Sequence, residues 1–241
     1  MHCDTKTINT KEFGEIAVTR NKRSRYISLQ IKPLEGLCVV VPKFASISEI
    51  ESVIRRKSDW IKTKLIKIKD IEDKRTIFDM NTKFQTRQHR LIIMPHSEDK
   101  TVIRVYDGVI KVKCPESKDI KDSHIQKTIR EGIDKALKIE AKEYIPHRVR
   151  GLANKFNLKY QDVTIKNIRT RWGSCSSKNN LNFNIHVMRL PEHLIDYVIM
   201  HELAHTVEKN HKRSFWSLLD GFVGDSKKLD KDLKGYRIGL W

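Results

Sequence analysis

Pro191-Glu192-His193-Leu194-Ile195-Asp196-Tyr197-Val198-Ile199-Met200-His201-Glu202-Leu203-Ala204-His205 is the stretch on which the reading turns. Proline suits the first turn of a helix, where its missing N–H would have had no partner, so the segment is expected to be helical with the histidines well inside it. Histidines four residues apart on a helix project from one face, and the imidazoles of His201 and His205 therefore converge on one point. Glu202, beside the first of them, can face a water held at that point without occupying a ligand position. A catalytic zinc takes three protein ligands and keeps a fourth position open. His211 is the candidate third ligand, because Asn210 before it tolerates the left-handed backbone that ends a helix and swings the chain back. At this composition an HExxH string arises by chance about once in 40 such chains, and with a histidine at that spacing about once in 1000. The triplet, rather than the pair, carries the inference.

Working outward, residues 163–171 and 181–188 read as strands around the polar connection Ser176-Ser177-Lys178-Asn179-Asn180, and are expected to pair as a hairpin just before the histidine helix. A long helical pattern passes through Ile125, Ile129, Ile133, Leu137, Val149, Leu152 and Phe156, with Pro146 inside it, where a lost amide donor and a ring clash should kink or split the helix. Pro115-Glu116-Ser117-Lys118-Asp119 precedes that pattern and is taken as a domain boundary. The N-terminal region reads as strands over 15–19, 26–31 and 37–41, one amphipathic helix opened by a Ser46/Glu49 capping box, and a hairpin over 101–106 and 109–114 about Asp107-Gly108. The expected fold class is α+β, with a β-rich region over 1–115 and a second domain over 116–241.

Composition sets limits on what the chain can be. With 39% hydrophobic and 32% charged residues it is too apolar for a disordered tail and too charged for a membrane protein. Its apolar runs fall far short of the roughly 20 residues that cross a bilayer. The N-terminus carries no basic segment followed by an apolar stretch and a cleavage site, and Cys3, Cys38, Cys114 and Cys175 form no CxxC pair. A cytoplasmic protein with reduced thiols is the expectation. The net charge of +18 makes nucleic acid a second partner class beside a protein or peptide substrate. Lys and Arg outnumber Asp and Glu by 24 to 14 over 1–115 and by 24 to 16 over 116–241, so the excess is no basic tail. Cys175 as a nucleophile lacks a local signature and is read as a packed thiol, and His193, about 12 Å along the helix from His201, is too distant to join the same ion.

Ile165-Lys166-Asn167-Ile168-Arg169-Thr170-Arg171-Trp172-Gly173-Ser174-Cys175-Ser176-Ser177 resembles the RWGSCS block of the YgjP-like metallopeptidase family. The family's HELAH, later NH and following FW are matched by His201–His205, Asn210-His211 and Phe215-Trp216. The resemblance is specific over about 163–216 and looser before it. It implies a zincin-like C-terminal metallopeptidase domain, related to the SprT-like peptidases, with Zn2+ on His201, His205 and His211 and Glu202 as catalytic base. Glu208 stands where metzincins have glycine, and no Met-turn follows, which disfavours that group. The function expected from residues and resemblance together is a zinc-dependent peptidase. The rival readings are a nucleic-acid-binding protein with a structural zinc, closed by four protein ligands, and a peptidase that acts on DNA-bound proteins.

Overall fold

The structure, a computed structural model, describes residues 4–239 apart from 11, 33–35, 74–75 and 169. The fold is α+β, and the chain divides into two compact units, Met1–Thr76 and Ile77–Trp241.

The first unit is a four-stranded sheet of β1 (Asp4–Thr10), β2 (Gly14–Arg20), β3 (Ser28–Lys32) and β4 (Gly36–Val41) in the order β1-β2-β4-β3. The near-continuous apolar run of β4 suits its central place, parallel to β2 and antiparallel to β3. The strand β1 was not expected, because its polar alternation resembles a loop; as an edge strand it has no need of two apolar faces. Ser46 and Glu49 form the anticipated capping box at α1 (Ile47–Arg56). The single helix expected here is two: the chain breaks at Lys57, whose N–H is shared among the carbonyls of Val53, Ile54 and Arg55, and resumes as α2 (Ser58–Asp73). Ile50, Ile54 and Ile61 still close one core with Ile16, Val18, Val39 and Val41.

In the second unit, β5 (Arg90–His96), β6 (Val102–Tyr106) and β7 (Val109–Pro115) form a sheet of order β5-β7-β6. The β6–β7 hairpin turns on Asp107 and Gly108, both at positive φ as foreseen. This sheet moves the boundary some 40 residues ahead of the one placed after 115. Phe78, Leu91, Ile93, Ile110 and Val112 share a core with Ile125, Ile129 and Ile133 of α3 (Ser123–Lys155). Buried Gln126 of α3 fixes the junction, accepting from the Phe78 N–H at 3.1 Å and donating to the Phe78 carbonyl at 2.7 Å. Nor does Pro146 split α3, which runs unbroken for 33 residues. The carbonyl that loses its donor belongs to exposed Lys142, where water can satisfy it, while buried Ala141, Ile145 and Val149 hold both halves in line.

A second sheet holds β8 (Asp162–Lys166), β9 (Gly173–Cys175) and β10 (Asn180–Asn184) in the order β8-β10-β9. The expected hairpin is corrected here: β8 runs parallel to β10, and the antiparallel partner of β10 is the short β9. A 3-10 turn, Ile185–Arg189, leads into α4 (Glu192–Ala204), followed by α5 (Arg213–Val223) and α6 (Ser226–Lys234). Arg148 of α3 grips Asp196 of α4 with two bonds, Nε to Oδ1 at 2.6 Å and Nη2 to Oδ2 at 2.5 Å, and fixes the rotation of α4 about its axis. Among the described residues no helix is long and apolar enough to cross a membrane.

Two glycines of α3 give opposite expectations. A Cβ at Gly132 meets Ile103 Cγ2 at 2.9 Å and Ile110 Cγ2 at 3.2 Å, whereas one at Gly151 meets nothing within 4 Å. Gly151→Ala should raise stability by about 0.5–1 kcal/mol through helix propensity, and Gly132→Val should lower it by about 1–3 kcal/mol through overpacking. Thermal unfolding of the two variants checks both signs; a Gly132→Val protein as stable as wild type would contradict the tight crossing of α3 over β6 and β7.

Candidate metal centre

Helix α4 is apolar almost all round: Leu194, Ile195, Val198, Ile199, Met200, Leu203 and Ala204 are all buried. A helix of that character belongs in the centre of a unit, and there a polar residue needs a partner. Glu202 is 6% exposed and His205 9% exposed, with His201 half-buried and His211 open to solvent. The motif stands at the end of α4 and not well inside it: His201 lies in the last turn and His205 is the C-cap residue.

The three histidines meet through one atom each. His211 Nε2 lies 3.0 Å from His201 Nε2 and 3.1 Å from His205 Nε2. In a tetrahedron whose Zn–N bonds are about 2.0–2.1 Å, ligand nitrogens stand about 3.3 Å apart, so the cluster is close to the size that one such ion requires. His205 Nδ1 lies 2.9 Å from the Glu208 carbonyl; donating its N–H there leaves Nε2 with a lone pair aimed at the common point. Burial, helped by the neighbouring imidazoles, lowers the His201 pKa to about 4, and burial lowers that of His205 as well. Neutral imidazoles are what a metal needs, and the donor set fits a divalent ion of zinc's type. Among the described residues these three form a group of metal-ligating side chains within 4.8 Å of one another.

The return of the chain to His211 does not use Asn210, which is absent from the positive-φ residues. It is built instead from the Glu208 N–H bonded to Ala204 O and the Lys212 N–H bonded to Asn210 O. Lys209 Nζ ties this turn to the β9–β10 turn through Asn179 Oδ1 and through Ser176 O at 3.2 Å. Phe215, fully buried at the start of α5, stacks on His205 with centroids 4.4 Å apart and lies edge-on to His201 and His211. Trp216 closes the side nearest His211 at 5.8 Å.

Glu202 points towards β9. A Cβ built at Gly173 falls 2.7 Å from Glu202 Cγ and Oε1, so the absence of a side chain there is what gives the carboxyl its place. Burial pushes the Glu202 pKa up to about 8, against the opposing charge of Arg171. Asn184, fully buried on β10, holds the approach to β9 from below: its N–H bonds to Trp172 O at 2.8 Å and its Nδ2 to the Ile168 and Arg171 carbonyls. Sequence reasoning missed Gly173 and Asn184, since neither carries chemistry of its own; only the block that contained Gly173 had drawn notice. Cys175 is half-buried, with its thiol pushed upward by burial and Glu202 against the charge of Lys209, the reverse of an activated nucleophile. His193 stays outside the cluster as expected, and Arg169 lies outside the described residues.

Residues 25–236 match the family described as YgjP-like, metallopeptidase domain. No curated protein matches the chain. Similar solved structures include the metallopeptidase zymogen jannalysin of Methanocaldococcus jannaschii, at 23% identity over 39% of this chain and 96% of that one, with a TM-score of 0.35. The zymogen abylysin of Pyrococcus abyssi follows at 18% identity over 38% and 93%, with a TM-score of 0.34. Wss1 of Saccharomyces cerevisiae is 14% identical over 64% and 98%, with a TM-score of 0.30. Likenesses of this size carry nothing about the site.

The geometry predicts one divalent ion per chain. His205→Ala should weaken binding of Co2+, followed by its visible absorption, at least about a hundredfold, while His193→Ala leaves it unchanged. Equal losses in both variants would place the ion elsewhere.

Proposed function

The chain belongs to the YgjP-like metallopeptidase family, and from that premise we propose that it is a zinc peptidase whose ion is held by His201, His205 and His211 and whose general base is Glu202. The observation that carries this reading is the meeting of three Nε2 atoms beside a buried carboxyl that is not itself among the converging ligand atoms. Three nitrogen donors leave a coordination position for water or substrate, which favours a catalytic ion over a structural one closed by four protein ligands.

Zinc held there supplies Lewis acidity, which makes a water nucleophilic near neutral pH and polarises a peptide carbonyl. The protein's own residues do the rest. Glu202 accepts the proton of the attacking water on its carboxylate and later returns it to the departing amine. Its burial raises its proton affinity towards the value a neutral-pH base needs, and Arg171 keeps the charged form accessible. Among the described residues the strand β9 is an edge of its sheet, paired with β10 alone, and offers backbone groups for an extended substrate to pair with. Because β9 begins at Gly173, against Glu202, a peptide lying along it brings its carbonyl to the carboxyl. The cytoplasmic setting expected from the sequence suits the free thiols of Cys38, Cys114 and Cys175.

Zinc content and cleavage of denatured casein test the reading. Glu202→Gln should keep one zinc per chain and lose about 10²- to 10⁴-fold in kcat; wild-type cleavage by that variant would sink the assignment. Gly173→Ala should also keep its zinc but push the carboxyl aside, with a loss of about a hundredfold, which unaltered turnover would contradict.

A further inference from the structure

The first unit carries a feature that peptide cleavage does not use. Three of its aromatic side chains stand open to solvent: Tyr26 is 81% exposed, Phe44 86% and Trp60 42%. All three line one groove of about 920 Å³, formed by the chain leading into β3, the chain after β4, and the corner where α1 gives way to α2. Single exposed apolar side chains are ordinary, but three around one concavity form a surface with a use.

The groove is also basic. Arg25, Arg56 and Lys57 lie in its wall, and Lys43 places its ammonium 4.9 Å from the centre of the Phe44 ring. Among the described residues its one lining carboxylate, Glu49, is already bound to the Ser46 N–H and hydroxyl in the capping box. Among the described residues none of these four cations forms an ion pair. The local sequence repeats the sign: from Arg20 to Lys67 there are 12 Lys and Arg against 4 Asp and Glu.

We propose that this groove binds a single-stranded nucleic acid, with bases stacked on Tyr26, Phe44 and Trp60 and phosphates against Arg25, Lys43, Arg56 and Lys57. The two kinds of side chain select the occupant. An apolar peptide would cover the rings but leave four cations without counter-charges, and burying charge unpaired is costly. A duplex would satisfy the cations but keep its bases stacked on each other, away from the rings. A single strand presents flat faces and negative charges in alternation, the pattern the groove displays. The groove lies wholly within the first unit, so this inference stands apart from the metal and Glu202.

The test is fluorescence anisotropy of a fluorescein-labelled oligothymidylate of about 16 nucleotides, titrated with the full chain at several salt concentrations. Binding should be saturable, and a duplex of equal length should compete at least about tenfold more weakly. Trp60→Ala and Phe44→Ala should each weaken binding about fivefold or more, with Trp60→Phe close to wild type. The double variant Arg25→Ala/Arg56→Ala should flatten the log–log salt slope by about 1.4. Thermal unfolding of each variant shows that the fold persists. An oligouridylate that binds as well also supports the groove, and the tighter of the two names the source. No binding at low salt overturns the proposal, as does binding that ignores the aromatic substitutions or is matched by duplex, since charge alone then acts. Denatured casein held by the groove and lost in the same variants, with no oligonucleotide bound, overturns it in favour of a protein partner.

Discussion

The second unit is organised around the burial of α4. A helix with apolar side chains on nearly every side has to be enclosed, and α3, β9, α5, α6 and the 3-10 turn all pack against it. The enclosure creates the electrostatic problem that defines the site: Glu202 and His205 are taken out of water, and His201 in part, at one end of a hydrophobic helix. Each is driven towards its neutral form, the imidazoles losing a proton and the carboxyl gaining one. Neutral imidazoles with lone pairs aimed at one another repel, and a shared cation would relieve that strain. The same burial that stabilises the unit thus gathers three imidazoles that could hold a metal ion.

Support for those groups comes from parts of the chain that lie far apart. Arg148 on α3 fixes the rotation of α4 through Asp196. Phe215 fills the space behind all three imidazoles. Lys209 fastens the segment before His211 to the β9–β10 turn, and Asn184 fastens the segment before β9 to β10. A cluster of imidazoles on a helix end and a loop would otherwise be loose, because helix ends fray and loops move; these anchors give it the rigidity that a metal site would require.

Local features were legible in the sequence, and non-local ones were not. The i, i+4 spacing of His201 and His205, the capping box at Ser46 and the Asp107-Gly108 turn are each decided within about five residues, and each stands as read. The parallel pairs β2–β4, β5–β7 and β8–β10 are invisible to alternation, which reports a half-buried strand without naming its neighbour. For that reason β8 and β10 were mistaken for a hairpin, and Leu91–Met94 counted as an apolar run without becoming a strand. The domain boundary failed for the same reason: Pro115 and its polar neighbours do form a turn, but Phe78 and β5 had already joined the core of α3. Pro146 obeyed the local rule in losing a donor, and tertiary packing decided the outcome.

The site shows the same division at a finer grain. Candidates of reactive type stand out by kind and spacing, as His201, Glu202, His205 and His211 do. Residues that make room or hold position do not. Gly173 matters because a methyl group would occupy the volume of the Glu202 carboxyl, and nothing in a glycine's neighbours along the chain states that volume. Asn210 looked suited to turn the chain, yet the Glu208 carbonyl took the more telling part by holding Nδ1 of His205. Glu208 also removes glycine from the position that metzincins use for a turn. The chain still brings His211 back, through an ordinary bonded turn and a lysine anchor, so the position of His211 depends on packing around Phe215 rather than on backbone licence at one residue.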